Sequence, residues 1–290
     1  MQRREFMMAG VAAAAGATLG SRALAGSDAA PRLRSLGTPE HDRAVAEGIA
    51  YFQRRCRDQL PLVQDLAAAV ASGDLDRAKR AYVESRPPYE EIEVLAASFE
   101  DSDSDIDARP YAFEGGESDP EFRGFHKVEA LIFAYEDLAA AKPFADRLVR
   151  SVQKLSRELG ELDRFSVEGQ FGGMYALTNE VSAKKVSSEE ETWSDQSLLI
   201  FRHNWIGVYS QFKPFASVLA NGHQPKVDAV DEAYRAAMAT LDGHFREGSA
   251  AGTPYSQIRI AERRTMADAS NRFRDAIVEA GAALGVRLPA

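Results

Sequence analysis

The chain has 290 residues, of which 45% are hydrophobic and 27% are charged, and its formal net charge is −9. This acidic balance argues against binding to nucleic acid or to anionic membrane surfaces, which repel a protein of negative net charge. A single cysteine, Cys56, excludes an intramolecular disulfide, so the fold must depend on an ordinary hydrophobic core. Cys56 falls on the apolar face of the first predicted helix, which indicates a buried thiol.

Residues 1–25 have the pattern of a signal peptide, and residues 26–39 that of a linker. Arg3-Arg4-Glu5-Phe6-Met7 is a twin-arginine motif, a weakly apolar stretch follows it, and Ala23-Leu24-Ala25 is a small-x-small cleavage site. The apolar stretch is too short, and too diluted by glycine and alanine, to span about 30 Å of bilayer. We therefore expect a periplasmic protein exported by the twin-arginine route, with no stable membrane insertion.

Helical periodicity begins at about residue 40. Apolar residues recur there at three- and four-residue steps, which is typical of a long amphipathic helix. These residues are Val45, Ile49, Phe52, Cys56, Leu60, Val63, Leu66 and Val70. Ser72-Gly73-Asp74 ends this helix, and Asp74 is suited to cap a second helix from Leu75 to about Phe99. Pro87-Pro88 predicts a kink within the second helix rather than its end.

The rest of the chain is also predicted to be helical, after an acidic connection at residues 100–122. The pattern predicts further helices at about 122–137, 143–162, 167–181, 189–219, 226–245 and 256–284. No strand-like alternation stands out, so we expect an all-α fold. A break near residue 163 predicts an elongated two-lobed bundle of two packed four-helix-type bundles, with lobes at about 40–162 and 163–285.

His126 and Glu129 are the first candidate metal ligands. Residues three apart on a helix project from the same face, so this pair can chelate a metal ion or form an ordinary surface ion pair. Glu90 and Glu93 have the same spacing and lie next to apolar positions that should face the core. Charged groups beside a buried seam are costly unless they are paired or bound to metal, and inward-facing ligands on two helices are typical of carboxylate-rich metal sites.

The ligand types indicate which metal would bind. One imidazole with several carboxylates suits iron or manganese better than copper or structural zinc. The chain lacks the His-Glu-x-x-His motif of zinc peptidases. The acidic run at 101–107 does not fit a calcium loop, because Ile106 occupies the glycine position and Ala112 the position of the bidentate glutamate. Glu189-Glu190-Glu191 is predicted to be a charge run at a helix start, and His203 a packed residue.

Several ordered motifs resemble the imelysin-like domain of the EfeO and EfeM proteins, over roughly residues 40–285. They comprise Ala78–Tyr82, Arg86, Tyr89–Glu93, Ile106–Arg109, Asp119–Glu129 and Lys185–Glu190, followed by Trp193, Ser194 and Asn204. Ser197 and Ile200 depart from the aspartates of the family pattern. Too few residues separate the signal from the first helix for a cupredoxin domain, so the chain resembles the shorter EfeM type.

The resemblance implies a periplasmic iron-binding component of an Efe-type iron-uptake system. Its partners would be a membrane iron permease and a haem peroxidase-like protein. It also implies an all-helical two-lobed bundle in which the His-x-x-Glu motif contributes to a site for Fe2+ or Fe3+, with other divalent metals possible. The residues assigned to this metal site are His126, Glu129, Glu90 and Asp107, with Glu93 and Glu190 as further members.

Two other functions stay open at this point. Imelysin relatives have been described as metallopeptidases, which makes a metal-dependent peptidase the main alternative, although a catalytic zinc site needs a ligand arrangement that this sequence does not show. A protein that binds acidic polysaccharides through bridging metal is the second alternative. We expect iron binding without chemistry of the chain's own.

Overall fold

The computed structural model describes residues 38–187 and 190–288, and the predicted signal peptide and most of the linker lie outside this part of the chain. Within these ranges the secondary structure is helical, apart from one isolated bridge between Phe245 and Gly252. The helices are α1 (Pro39–Ser72), α2 (Leu75–Ser85), α3 (Pro87–Ile92), α4 (Glu100–Asp107), α5 (Phe125–Glu129), α6 (Leu138–Glu158), α7 (Val167–Ala183), α8 (Ser197–Ala239) and α9 (Ile260–Ala283). The predicted all-α fold is confirmed.

Helix α1 follows its sequence signals closely. The Thr38 hydroxyl accepts a hydrogen bond from the His41 backbone N–H, and Pro39 occupies the first turn, where no N–H is needed. The helix ends at Gly73, whose φ of 78° is the left-handed conformation that glycine adopts without steric cost. Its predicted apolar face, which includes the free thiol of Cys56, is buried except for the half-buried Leu60.

The predicted length of the second helix is wrong. Helix α2 begins after the Asp74 cap as expected but ends at Ser85, and Pro87 starts the separate helix α3. Proline is well tolerated in the first turn of a helix, so Pro87-Pro88 here begins a helix rather than bending one. A 3-10 segment (Glu93–Ser98) follows α3, and the acidic run predicted as an irregular connection then forms α4.

Three other predicted helices also differ from the observed ones. The pattern at 122–137 gives only the short helix α5, followed by a π-helical turn (Ala130–Ala134). Helix α8 begins at Ser197 rather than near residue 189. It also continues, across a kink at Asn221–His223, through most of the segment predicted as a separate helix at 226–245. Periodicity located the apolar faces but not these boundaries.

The packing places α3 and the 3-10 segment in the middle of the molecule. Helix α1 packs against α2, α6 and α8, while α7, α8 and α9 pack against one another. Helix α3 contacts both α1 and α8, and the 3-10 segment contacts α7. Whether the chain divides into lobes at residue 163 stays a prediction. In the part of the chain that the structure describes, no helix has the length and hydropathy needed to cross a bilayer.

Gly207 on α8 allows α3 to approach closely. A Cβ added at this position would lie 2.3 Å from the backbone oxygen of Glu91 on α3, a distance at which one of the two helices must move. Gly172 on α7 differs, because a Cβ there would meet nothing within 4 Å.

The variant Gly207→Ala should therefore be less stable by about 1–3 kcal/mol, the usual cost of overpacking. The matched variant Gly172→Ala should be neutral or more stable by up to about 1 kcal/mol, because alanine is the better helix former. Urea unfolding followed by circular dichroism measures both free energies. Equal unfolding midpoints for the two variants would contradict the close approach of α8 to α3.

Candidate metal centre

The structure brings all six predicted ligands into one buried cluster. Glu90 lies on α3, Asp107 ends α4, and His126 and Glu129 lie on α5. The other two predicted ligands, Glu93 and Glu190, lie just after α3 and before α8. None of the six is more than 9% exposed. Burial of so many ionisable groups is costly, and the contacts between them show how the cost is offset.

His126 and Glu129 contact each other as their spacing predicts. The Nδ1 atom of His126 lies 3.1 Å from Oε2 of Glu129. The other carboxylate oxygen, Oε1, accepts hydrogen bonds from the backbone N–H groups of Trp193 and Ser194, at 2.9 and 2.8 Å. On the far side of the ring, Nε2 is 3.5 Å from Oδ1 of Asp107 and makes no hydrogen bond to any residue that the structure describes.

Arg86 joins three of the carboxylates. Its guanidinium is fully buried and lies 2.6 Å from Glu90 Oε1, 2.7 Å from Asp107 Oδ1 and 2.9 Å from Glu191 Oε1. The guanidinium also lies over the ring of Phe125, with 4.4 Å between its central carbon and the ring centroid. Sequence reasoning placed Arg86 in a motif but gave it no role, although so many buried acids require buried cations.

Lys185 and Arg109 hold the remaining predicted acids. Lys185 Nζ lies 2.9 and 2.8 Å from the two oxygens of Glu93 and 3.2 Å from Glu190. Arg109 Nη2 lies 2.6 Å from Glu190, and its Nη1 is 3.6 Å from Asp107. Each basic group therefore bridges carboxylates that come from different segments of the chain.

Glu191 belongs to the cluster and was missed as a candidate. The interpretation of Glu190 and Glu191 as part of a charge run at a helix start is wrong, because α8 begins only at Ser197 and both side chains are buried. Glu191 accepts hydrogen bonds from the hydroxyls of Tyr82 and Ser194, at 3.2 and 2.5 Å. No local spacing in the sequence indicates this placement.

His126, Glu129 and Glu191 form the tightest set of possible metal ligands. Each can offer one ligand atom, and these atoms all lie within 4.8 Å of one another. One imidazole and two carboxylates are hard ligands, which suit iron, manganese and related divalent ions. The hydrogen bonds to Glu129 and Glu191 from neighbouring groups would fix the orientation of these ligands, as such outer contacts do in metal sites. The residues present therefore fit a cation.

The cluster carries more acids than bases. Its six buried carboxylates face three basic side chains, and even a protonated His126 leaves a surplus of negative charge among the residues described. The carboxylates are Glu90, Glu93, Asp107, Glu129, Glu190 and Glu191, and the bases are Arg86, Arg109 and Lys185. Burial raises the pKa of Glu93 and of Glu191 to about 7, the latter helped by Glu129. The surplus is thus relieved partly by protons.

His126 and Asp107 shift each other's pKa values. Burial alone would lower the pKa of His126, but Asp107 and a hydrogen bond to Glu129 raise it to about 9. Burial would likewise raise the pKa of Asp107, but Arg86 and His126 hold it well below its usual range. In the absence of a metal, the imidazolium of His126 therefore serves as a further cation of the cluster at neutral pH.

Comparison with known proteins identifies the fold family. The family model described as Imelysin (peptidase M75) matches residues 37–282. The chain belongs to the imelysin family. An imelysin-like protein from Psychrobacter arcticum has the same fold, with a TM-score of 0.68 and 11% sequence identity over 89% of this chain and all of that one.

Curated relatives of this imelysin-family chain have names from iron uptake. It is 30% identical over 223 residues to the iron uptake system component EfeO of Yersinia pseudotuberculosis, which covers 77% of this chain and 59% of that protein. It is 29% identical over 237 residues to the iron uptake system component EfeM of Pseudomonas syringae, with 80% of each chain covered. The chain thus spans about three-fifths of the length of that EfeO relative, and four-fifths of EfeM.

Beside the cluster, Glu91 has a separate set of partners. Its carboxylate contacts Arg55 at 2.7 and 3.0 Å and His203 Nδ1 at 2.7 Å, and it accepts a hydrogen bond from the Tyr51 hydroxyl. An arginine, a histidine and a hydroxyl satisfy this single carboxylate. His203, predicted to be a packed residue, is mostly buried and paired with Glu91.

The raised pKa values predict how the stability of the metal-free protein changes with pH. His126, Glu93 and Glu191 all have pKa values above those of unfolded chains, so the folded state holds more protons between about pH 4.5 and 9. Stability must then fall as pH rises through this range.

We therefore expect the chelator-treated protein to unfold at a lower temperature at pH 8.5 than at pH 6. Differential scanning calorimetry at several pH values measures this change. In the variant His126→Gln the decline between pH 7 and 9 should become shallower. A midpoint that rises from pH 6 to 8.5 would contradict the charge surplus.

Proposed function

We propose that this chain binds iron as cargo in an iron-uptake system and performs no chemistry on it. One observation carries the proposal: a buried cluster with surplus carboxylates surrounds His126, in a chain whose relatives are named iron uptake components. A cation in the cluster would neutralise the surplus in a low-dielectric interior, where charge interactions are strong. The named relatives support iron as that cation.

The ligands that we assign first are His126, Glu129 and Glu191, because their ligand atoms already lie close together. Glu90 and Asp107 are next, since both share Arg86 with Glu191 and a small movement of that guanidinium would free them. Glu93 and Glu190 lie further round the cluster, on Lys185 and Arg109, and stay among the candidates. Either Fe2+ or Fe3+ suits such ligands, and other divalent metals would compete.

The cellular setting is inferred from the sequence and from the names of the relatives. We propose a periplasmic location reached by the twin-arginine route, which carries folded proteins. We propose a membrane iron permease and a haem peroxidase-like protein as partners. The division of the imelysin domain at 40–285 into two lobes near residue 163 belongs to the same proposal.

The ligand chemistry disfavours a peptidase as the main function. Catalytic zinc sites usually combine at least two histidine or cysteine ligands with a third ligand, which is a histidine or a glutamate. His126 is the sole histidine of the cluster in the described chain, and Cys56 lies elsewhere, on α1. Chelator-sensitive cleavage of a peptide library would revive the peptidase alternative. Chelator-sensitive retention on an acidic polysaccharide would support the second one.

Removal of the central pair should abolish tight binding. Substitution of outer-shell partners alone typically weakens metal binding 10- to 100-fold, so the double variant His126→Gln/Glu129→Gln should lose about 100-fold or more in iron affinity. Competition with a chelator of known affinity, followed by metal analysis, measures the dissociation constants. His203→Gln is the matched control, because it removes a paired histidine outside the cluster. An unchanged iron affinity in the double variant would contradict the assignment of the site.

Iron binding should also release protons at pH 7. A metal ligand must be deprotonated, whereas the pKa of His126 is raised to about 9 and that of Glu191 to about 7. Calorimetric titrations in buffers of different ionisation enthalpy count the protons released, and we expect about one or more per iron. The His203→Gln control should release the same number. Binding without proton release would exclude His126 as a ligand.

A further inference from the structure

A cavity of about 490 Å3 adjoins the buried cluster on one side. Glu93, Asp107 and Arg109 of the cluster form part of its wall, and α7 forms much of the rest. Two other cavities, of about 350 and 380 Å3, share no wall with the cluster. The cavity beside α7 is therefore the one of these three from which a small ion can reach the buried carboxylates without crossing the hydrophobic core.

One part of the lining of this cavity is acidic and suits a hydrated cation, while much of the rest is apolar. The half-buried acids Asp103 and Glu180 lie in the wall together with the buried Glu93 and Asp107, so carboxylates continue from the partly exposed part to the cluster. Six water molecules occupy roughly 180 Å3 at liquid density, so an ion with its full first hydration shell fits this volume. An ion could then exchange water for carboxylate oxygens in steps.

Small residues on α7 keep the cavity open. Gly169, Gly172 and Ala176 all line it. A Cβ added at Gly172 would meet nothing within 4 Å, so it touches neither the ligand atoms nor another wall. Any larger side chain at this helical position would point into open space and reduce the volume available to an ion.

Arg109 is the one basic residue among those that line the cavity. Its side chain is 11% exposed, and its guanidinium contacts Glu190 at 2.6 Å and Asp107 at 3.6 Å. The Arg109 side chain is therefore partly exposed at the cavity wall and also ion-paired within the cluster. A positive group in this position repels an approaching cation and also occupies two of the carboxylates that the cation would need.

We propose that the cavity beside α7 is the passage by which a hydrated cation reaches the cluster, and that the Arg109 guanidinium closes its inner end. The cation enters when Glu190 and Asp107 exchange the guanidinium for the ion, and no covalent bond changes. This inference rests on the proposed function, because it takes the cluster as the place where iron is held.

The test separates the rate of binding from its affinity. In Gly172→Leu, we expect association and dissociation of Fe2+ under anaerobic conditions to slow by about tenfold or more, since both must pass the narrowed cavity. The dissociation constant should stay within about twofold, because both rates fall together. Stopped-flow fluorescence reads the rates from Trp193, whose backbone N–H donates to Glu129. Ala183→Leu, on α7 but outside the cavity wall, is the matched control and should bind at the normal rate.

Ala176→Leu is a second variant with the same expectation, in case Gly172→Leu does not fold. Normal association rates in a folded variant with normal affinity would overturn the passage. Failure of the unsubstituted protein to bind iron would overturn the proposed function, and the passage with it, so the two failures are distinguishable.

Arg109→Gln tests the gate separately. Association should become faster by several-fold or more, roughly as expected when a like charge is removed from a binding path. The positive charge of Arg109 repels every divalent cation, so its removal should accelerate the association of both Mn2+ and Fe2+. An association rate equal to that of the unsubstituted protein would contradict a closing role for Arg109.

Discussion

The structure of the site depends on the buried guanidinium of Arg86. It joins Glu90 on α3, Asp107 at the end of α4 and Glu191 before α8, and so holds three segments that are distant in sequence. Arginine suits this role because its planar group donates in several directions and stays charged when buried. Loss of one member of such a buried set is costly, since the others remain as unpaired charges.

The acidic charge of the cluster is neutralised in two ways. Arg86, Lys185 and Arg109 neutralise part of the acidic charge, and protons on His126, Glu93 and Glu191 neutralise more of it. A metal ion can displace protons from the carboxylates. In an interior whose charges were all neutralised by ion pairs, a metal would have no such proton to displace. The fold thus holds the carboxylates together without iron and leaves part of their neutralisation to exchangeable protons.

Local patterns in the sequence predicted local features, and long-range pairing remained hidden. Apolar periodicity located α1, α7 and α9, and the i to i+3 spacing placed His126 against Glu129. The same periodicity failed at Pro87-Pro88 and before Ser197, where tertiary contacts decide the backbone. The inward placement of Glu191 depends on its contacts with Arg86 and Tyr82. Tyr82 precedes Glu191 by 109 residues in the chain. No pattern within a short window records such a pairing.

Two adjacent glutamates on α3 differ in how far the fold satisfies their charge. Burial would raise the pKa of Glu91, but His203, Tyr51 and Arg55 hold it below its usual range. Glu90 is also buried, yet Arg86 is shared with two other acids and Glu93 lies close, so the pKa of Glu90 stays well above its usual range. The first carboxylate has its charge satisfied within the fold. The second does not, and such a local conflict in a folded protein is expected at a functional site, where a ligand can relieve it.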